Sequence, residues 1–366
     1  MSFSDFKTFD SCDFELRTSK GKAKPAPALP AGVRLADTHC HLNMLERPGL
    51  ALARAAHYGF GFLCCVLDPA ESLSGGEAER FPSAAETLDS LDVWEEDARQ
   101  ILASWGEAGR ELPRVRFAVG VHPHNAKDFA RAEDGLLRLL HDARVSCLGE
   151  VGLDYHYDLS PRNVQRRVFA CQLRLAHETG LPVSLHLREA HAEALDILRA
   201  EGVPRAGCIL HCFNLDKEAL RPFAELGCHI AFGGPLTFRK AFYTRLACLQ
   251  VPPERLLVET DAPYMAPEPL RGTVCLPDHA QFTLRKLLDC FGYAGVATAL
   301  KALQPRPSDI ENGAVAVGLE DVDFAALQQG LTEAQFAARL YDNAMALLDR
   351  APTPWQRGKE ASHGNA

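Results

Sequence analysis

The feature that most constrains this chain is a pattern that recurs eight times: a short apolar run, a turn or polar cluster, then a stretch with helical periodicity. The runs are 33–37, 60–67, 115–121, 146–151, 182–187, 207–213, 228–233 and 255–261. The stretches between them include 131–143, 164–179, 190–201, 217–226 and 240–249. Each carries apolar residues on one helical stripe, as Val168, Cys171, Leu175 and Ala176 do. Strands alternating with helices imply right-handed crossovers and a parallel sheet. Eight such units predict an α/β chain folded as a single (β/α)8 TIM barrel rather than an open sheet.

The remainder of the 366 residues divides around that barrel. Residues 1–32 read as an N-terminal extension, ending in a proline-rich tether over 24–32. The barrel is expected over 33–350, and 351–366 are expected to form a flexible, frayed polar tail. Two segments exceed a minimal barrel. One is an acidic insertion after strand two, at about 68–114, with a predicted helix over 93–105 and a place on the rim of the active face. The other lies at about 294–335 and precedes a final predicted helix over 333–350. The longest apolar run, 59–67, is too short to span a bilayer, and the N-terminus has no apolar core of a signal peptide. The expected location is therefore the cytoplasm, with no membrane partner. The twelve cysteines include no CxxC pair and lie largely in apolar runs, so they read as reduced packing residues.

Active sites of such barrels sit at the C-terminal ends of the strands. The run ends here are Asp37-Thr38-His39-Cys40-His41, Val121-His122-Pro123-His124, Gly149-Glu150 through Asp154-Tyr155, His186-Leu187-Arg188, His211-Cys212-Phe213 and Glu259-Thr260-Asp261. Six of eight runs thus deliver imidazoles or carboxylates to one face, which is what a divalent metal site requires. Side chains at i and i+2 of a strand share a face, so His39 and His41 can chelate one ion while Cys40 turns into packing. Glu259 sits two residues before Asp261 and can back the site or form a salt bridge within the barrel. Asp154 reads as a loop anchor. His124, His156 and His191 are expected in surface or capping roles. Arg239 and Lys240 follow a glycine-rich turn, where Thr237 could cap a helix, and are candidate phosphate contacts with Arg271.

These residues give the chain a family resemblance. It resembles the TatD-related DNases, metal-dependent hydrolases of the amidohydrolase-like barrels. The matching blocks are D-T-H-C-H at 37–41, V-G-V-H-P at 119–123, G-E-V-G-L-D-Y at 149–155, L-P-V-S-L-H-L-R at 181–188, H-C-F at 211–213 and E-T-D-A-P-Y at 259–264. They extend over about 33–293, with Asn343 near the end of the last helix. The resemblance implies two divalent ions (Zn, Mn or Mg). His39, His41 and Asp261 would hold the first, His186 and His211 the second, and Glu150 would bridge them. A shared carboxylate suits two ions about 3.5–4 Å apart. Asp261 would orient the attacking water and carry its proton, and His122 and Arg188 would face the substrate phosphate. The implied activity is hydrolysis of phosphodiester bonds, in DNA ends or single strands.

Departures from the family pattern fall in substrate-facing loops. Cys275 stands where an Asn is expected before Pro277, and Asn214-Leu215-Asp216 replaces a small Ser/Gly-rich turn. They keep a small ester, lactone or amide open as a second substrate class. An inactive partner-binding scaffold is a third reading, opposed by the complete ligand set. Charge sharpens the question. The net charge is −9, and 68–114 alone holds twelve Asp or Glu against four Arg, a local −8. Such a chain cannot grip nucleic acid through a broad basic face. The ions and a few local cations must supply the positive charge.

Overall fold

The eight apolar runs become eight strands. The computed structural model describes residues 15–73, 82–304 and 323–358. Within them, β1 (Leu35–Cys40), β2 (Phe60–Leu67), β3 (Arg114–Val119), β4 (Val145–Asp154), β5 (Val183–Arg188), β6 (Cys208–Leu210), β7 (His229–Phe232) and β8 (Leu256–Val258) form one sheet in sequence order. Every neighbouring pair is parallel. The chain just beyond β8 returns to β1 through a parallel bridge between Cys40 and Ala262. There His41 N donates to Ala262 O at 2.7 Å, and Asp261 N donates to His39 O at 2.8 Å. The expected barrel is therefore the observed one.

Alternation along the strands sorts side chains into two layers. Ala36, Phe62, Cys64, Val66, Ala118, Cys147, Ile209, Ala231 and Leu257 pack as one cluster inside the barrel. The intervening Leu35, Leu63, Cys65, Val151, Leu153, Leu185, Leu210 and Val258 join the larger core beneath the helices. This is the period of two expected of a strand buried on both faces. The surrounding helices are α1 (Pro48–His57), α2 (Ala84–Ser104), α3 (Phe129–Leu140), α4 (Arg162–Thr179), α5 (His191–Glu201), α6 (Lys217–Glu225), α7 (Phe242–Cys248), α8 (Ala280–Cys290), α9 (Val296–Leu303), α10 (Phe324–Gln328), α11 (Glu333–Leu348) and α12 (Pro354–Arg357). Ala344, Leu347 and Leu348 of α11 close the interior from the N-terminal end of the strands. Asn343 Nδ2 fixes that plug by donating to Pro253 O and Leu256 O at 2.7 and 2.9 Å.

The flanking segments differ from expectation in instructive ways. The longest element of the acidic stretch is α2, which begins nine residues earlier than the helix predicted from 93. Its Leu88, Leu91, Ala98 and Leu102 are buried in the main core, while its acids face solvent. A Ser83–Glu86 capping box, with both bonds made, explains the earlier start. Within the stretch, 74–81 lie outside the described residues. So do 1–14 of the extension, 305–322 of the second segment and 359–366 of the tail. The extension is not free of the barrel, because Leu16 is buried against Leu270 and Phe282. The tail is docked as far as Gln356, whose Nε2 donates to Leu140 O, Asp142 O and Val145 O at 3.0, 3.1 and 2.9 Å.

A buried ion pair anchors the loop that follows β8. Arg54 of α1 meets Asp278 through Nε and Nη2 at 3.1 and 2.8 Å, and neither residue is exposed. The adjoining His279 is buried, and its Nδ1 accepts from Leu276 N at 3.3 Å, so the ring is held neutral. Burial lowers its pKa to about 4, with Arg54 adding to the effect and Asp278 opposing it. The unfolded chain therefore binds a proton here between about 6.5 and 4 that the folded protein refuses. Stability should fall as pH drops through that window, by on the order of 3 kcal/mol from this group. Denaturant midpoints of metal-free protein from pH 7 to 4 check this, and His279→Gln should flatten the slope.

Candidate metal centre

The mouth is built where β1 meets the end of β8. Asp37, fully buried, accepts from His39 N and Thr260 N through Oδ1 at 3.1 and 3.0 Å, and from Thr260 Oγ1 through Oδ2 at 2.5 Å. Burial pushes its carboxyl well above the usual range, opposed by those hydrogen bonds. This clamp sets His39 and Asp261 side by side across the closure. Asp261 itself has a left-handed backbone, φ 60°, stabilised by Tyr264 N donating to Asp261 O at 2.7 Å. Between β4 and β5, Gly152 is required because a Cβ there would lie 2.1 Å from His186 O. The strands can thus approach closely enough to bring His186 to Glu150.

Glu150 is the centre of the arrangement. Its Oε2 lies 3.5 Å from His39 Nε2 and 3.8 Å from His41 Nε2. Its Oε1 lies 3.0 Å from His186 Nδ1 and 2.9 Å from His211 Nε2. Asp261 Oδ1 is 3.7 Å from His39 Nε2 and 3.6 Å from His41 Nε2. Groups able to hold an ion follow from this packing: His39, His41 and Glu150; His39, His211 and Asp261; and Glu150, His186 and His211. All six residues expected as ligands are brought together. His39 is 1% exposed, yet neither of its ring nitrogens has a hydrogen-bond partner among the described residues. A buried imidazole left unsatisfied in this way fits a metal ligand, and the mixed nitrogen and carboxylate donor set suits Zn, Mn or Mg.

The electrostatics follow the geometry. Burial alone would raise the Glu150 carboxyl, but His39, His211 and His186 hold it well below the usual carboxylate range. Burial likewise opposes ionisation of Asp261, and His41, His39 and His211 bring its pKa down. His211 rises well above an ordinary imidazole despite burial, because Glu150 and Glu259 face it.

Residues behind the ligands fix their orientation. His186 turns Nδ1 to Glu150 and gives Nε2 to Asp154 Oδ2 at 3.2 Å. Glu259, fully buried, stands 3.6 Å from His211 Nδ1 and accepts from Cys212 N at 2.5 Å. It therefore backs a candidate ligand rather than bridging within the barrel wall. Carboxylates placed on the far nitrogen of ligand histidines are common support for metal sites. Asp154 anchors its loop as expected, accepting from His156 N and Tyr157 N, both at 2.9 Å.

Several expectations are corrected or extended here. His124 is half-buried rather than fully at the surface, and its Nε2 lies 2.8 Å from Asp154 Oδ2. His156 does lie at the surface, 2.7 Å from Glu189. Thr237 caps no helix; its hydroxyl donates to Gly234 O at 2.6 Å and accepts from Glu268 N at 2.8 Å. His122 reaches the mouth, with Nε2 4.0 Å from Glu150 Oε1. Its Nδ1 accepts from His124 N at 3.1 Å, and burial with the neighbouring His186 holds the imidazole well below its usual pKa. The neutral ring thus carries its proton on Nε2 and is a hydrogen-bond donor into the site. For that reason the cluster of His122, His124 and His186 does not offer three ligand lone pairs. Arg188 is half-buried near the mouth, whereas Arg239, Lys240 and Arg271 are exposed. Arg271 rests on Phe238, 4.4 Å from the ring centroid.

Sequence reading missed Asp68 and Glu71. Asp68 accepts from His122 N at 3.1 Å and Asn125 Nδ2 at 2.8 Å, and burial raises its pKa to about 7. Glu71 senses the centre: burial raises its carboxyl, His41 lowers it and Glu150 raises it. Asp68 directly follows β2, so its place as the polar residue ending the second run was a readable signal, whereas Glu71 lies in the short helical turn beyond it and ends no strand.

Known proteins place the chain in a family and share its fold. The family described as TatD related DNase matches residues 36–302. The chain belongs to the TatD-related DNase family. It is 37% identical over 244 residues to the uncharacterized metal-dependent hydrolase YcfH of Escherichia coli K12, covering 65% of this chain and 81% of that protein. It is 34% identical over 163 residues to the 3'-5' ssDNA/RNA exonuclease TatD of Escherichia fergusonii, covering 44% of this chain and 63% of that one. Among solved structures, the TatD homologue YJJV of Escherichia coli superposes with a TM-score of 0.56 at 24% identity, covering 86% of this chain and 98% of that one. That likeness supports the same barrel fold.

Cys40 separates ligand from packing on β1. It is fully buried, and its thiol reaches Cys64 O at 3.4 Å rather than the mouth. Cys40→Ala should retain the metal content of the parent protein by elemental analysis and lose about 1 kcal/mol of stability. Metal loss in a normally folded variant would show that the strand faces are misassigned.

Proposed function

We propose that this TatD family member is a dinuclear, metal-dependent phosphodiesterase acting on nucleic acid, with DNA ends or single strands as substrate. The observation that carries this reading is the division of Glu150. One oxygen faces the His39 and His41 pair and the other faces His186 and His211. A carboxylate so shared is suited to bridge two cations, with Asp261 completing the first site. Divalent ions held there would make water nucleophilic near neutral pH and offset charge on the phosphate.

The chain's own groups then have distinct tasks. Asp261, kept ionised, accepts the proton of the attacking water. His122 donates from Nε2 to a non-bridging phosphate oxygen, and Arg188 adds a cation. Arg239 and Arg271, exposed nearby in sequence order to the closing loops, serve strand segments farther from the bond that breaks. Glu259 and Asp154 hold the ligand imidazoles in register. The relatives' names support nucleic acid as the substrate class, including the human 3'-5' RNA nuclease TATDN2, 31% identical over 285 residues, which cover 75% of this chain and 34% of that protein. Cys275 no longer argues for a small neutral substrate, because it is fully buried in the core and makes no surface at the mouth. We infer a reducing cytoplasmic setting from the eleven free cysteines among the described residues, of which nine are buried.

Chelation should abolish hydrolysis of a single-stranded oligonucleotide, and Mn, Zn or Mg should restore it. Glu150→Ala should lose both ions by elemental analysis, while His186→Ala should chiefly lose one. Two ions retained in Glu150→Ala would exclude the bridging role. Turnover of lactones or amides, with none of any phosphodiester, would replace the substrate assignment.

A further inference from the structure

The loop after β4 carries an aromatic surface that the metal centre does not use. Tyr157 is 51% exposed, yet its position is fixed. Its backbone N–H donates to Asp154 Oδ1 at 2.9 Å, and the other oxygen of that carboxylate meets His186 Nε2 at 3.2 Å. One carboxylate therefore links Tyr157 to a ligand of the centre. His124 and His156 abut the ring edge-on, with centroids 5.4 and 4.9 Å away. The Arg188 guanidinium covers one face, 4.7 Å from the centroid. With these three neighbours in place, half of the residue still faces solvent. Leu215 and Met265, 37% and 39% exposed, add apolar surface on the loops after β6 and β8, at the same end of the barrel.

We propose that Tyr157, backed by Arg188, is a stacking subsite for the nucleobase of a nucleotide flanking the scissile phosphate, and that it selects an unpaired strand. The proposal rests on the nucleic-acid reading above and names how that substrate is held. An acidic protein of net charge −9 cannot rely on phosphate contacts over a long tract. Stacking supplies affinity that is independent of charge and tolerant of sequence, since every base has a π-face. A base inside a duplex is already stacked on both faces and paired, so the Tyr157 ring favours an unpaired or frayed terminal base. The guanidinium serves two partners from one position. It is a cation beneath the ring, where a cation is attracted to the π-face, and it lies two residues along β5 from His186, beside the expected phosphate. Tyrosine adds area at low entropic cost because its loop is already ordered by Asp154.

The test compares two substrates of the metal-loaded enzyme. One is a single-stranded oligothymidylate, and the other is the same strand carrying sugar-only abasic residues at both ends. The parent enzyme should favour the base-bearing strand about tenfold or more in kcat/KM, mainly through KM. Tyr157→Ala should collapse that ratio toward one, and Tyr157→Phe should preserve it. A terminal 2-aminopurine should be quenched on binding to the parent protein and to Tyr157→Phe, and much less by Tyr157→Ala. Metal content and melting temperature of each variant report whether it folds. An unchanged ratio and unchanged quenching in a folded, metal-loaded Tyr157→Ala would overturn the subsite and leave the nuclease reading standing. Turnover of neither strand by the parent enzyme would overturn the nuclease reading, and the subsite with it.

Discussion

A single buried carboxylate organises this molecule. Glu150 is 7% exposed, and an isolated anion in such a place would protonate or unfold its surroundings. It stays ionised because imidazoles from β5, from the chain just beyond β6 and from the β1 end surround both oxygens. That arrangement is possible only if the ends of β1, β4, β5 and β6 reach one point, which an open sheet in sequence order could not achieve. Closure of the barrel is thus a condition of the chemistry. The Asp37 clamp to Thr260 and the bridge from Cys40 to Ala262 are the bonds that hold β1 to the end of β8 at the height of the ligands.

Burial below the mouth complements that closure. The inward positions are filled by apolar side chains, Phe62 the largest of the strand residues, until α11 plugs the other end. The polar groups are thereby confined to the last inward layers of the strands. Along β5 the inward series reads Ser184, His186 and Arg188, passing from packing to ligand to a cation at the rim. The same strand periodicity therefore fixes both the depth of the metal site and the distance at which substrate contacts begin.

How much of this was legible depended on how local the determining interaction is. The strands and their C-terminal ends could be read because a period of two and the barrel topology act on neighbouring residues. His39, Cys40 and His41 were assigned to opposite faces by that rule, and the structure agrees. The partners of His124 and Asp37 could not be read, because they are made across space: Asp154 is thirty residues from His124, and Thr260 is 223 residues from Asp37. Thr237 misled for a related reason, since its hydroxyl satisfies a loop that only tertiary contact brings near. The acidic stretch shows a different limit. Composition marked it as excess, whereas its apolar stripe, Leu88, Leu91, Ala98 and Leu102, makes α2 part of the barrel's own helical coat.

The remaining question is why a metal site should share a carboxylate with a substrate loop. Asp154 holds Nε2 of His186 and Nε2 of His124 on one oxygen, and two backbone amides of the following loop on the other. Those histidines bring its pKa far below the usual range in spite of burial. An ionised Asp154 is therefore available as an acceptor on every side at once. Hydrogen bonds through Asp154 thus connect His186 to the loop that carries Tyr157. A base stacked on Tyr157, as proposed above, would rest on a loop held by the same carboxylate that meets His186. His122 stands between the two, held by the His124 backbone with its Nε2 proton toward the centre. One hydrogen-bonded carboxylate thus joins a candidate metal ligand to the loop proposed to hold substrate. A mouth built this way can position a polyanion accurately with few cations, which is what the acidity of the chain demands.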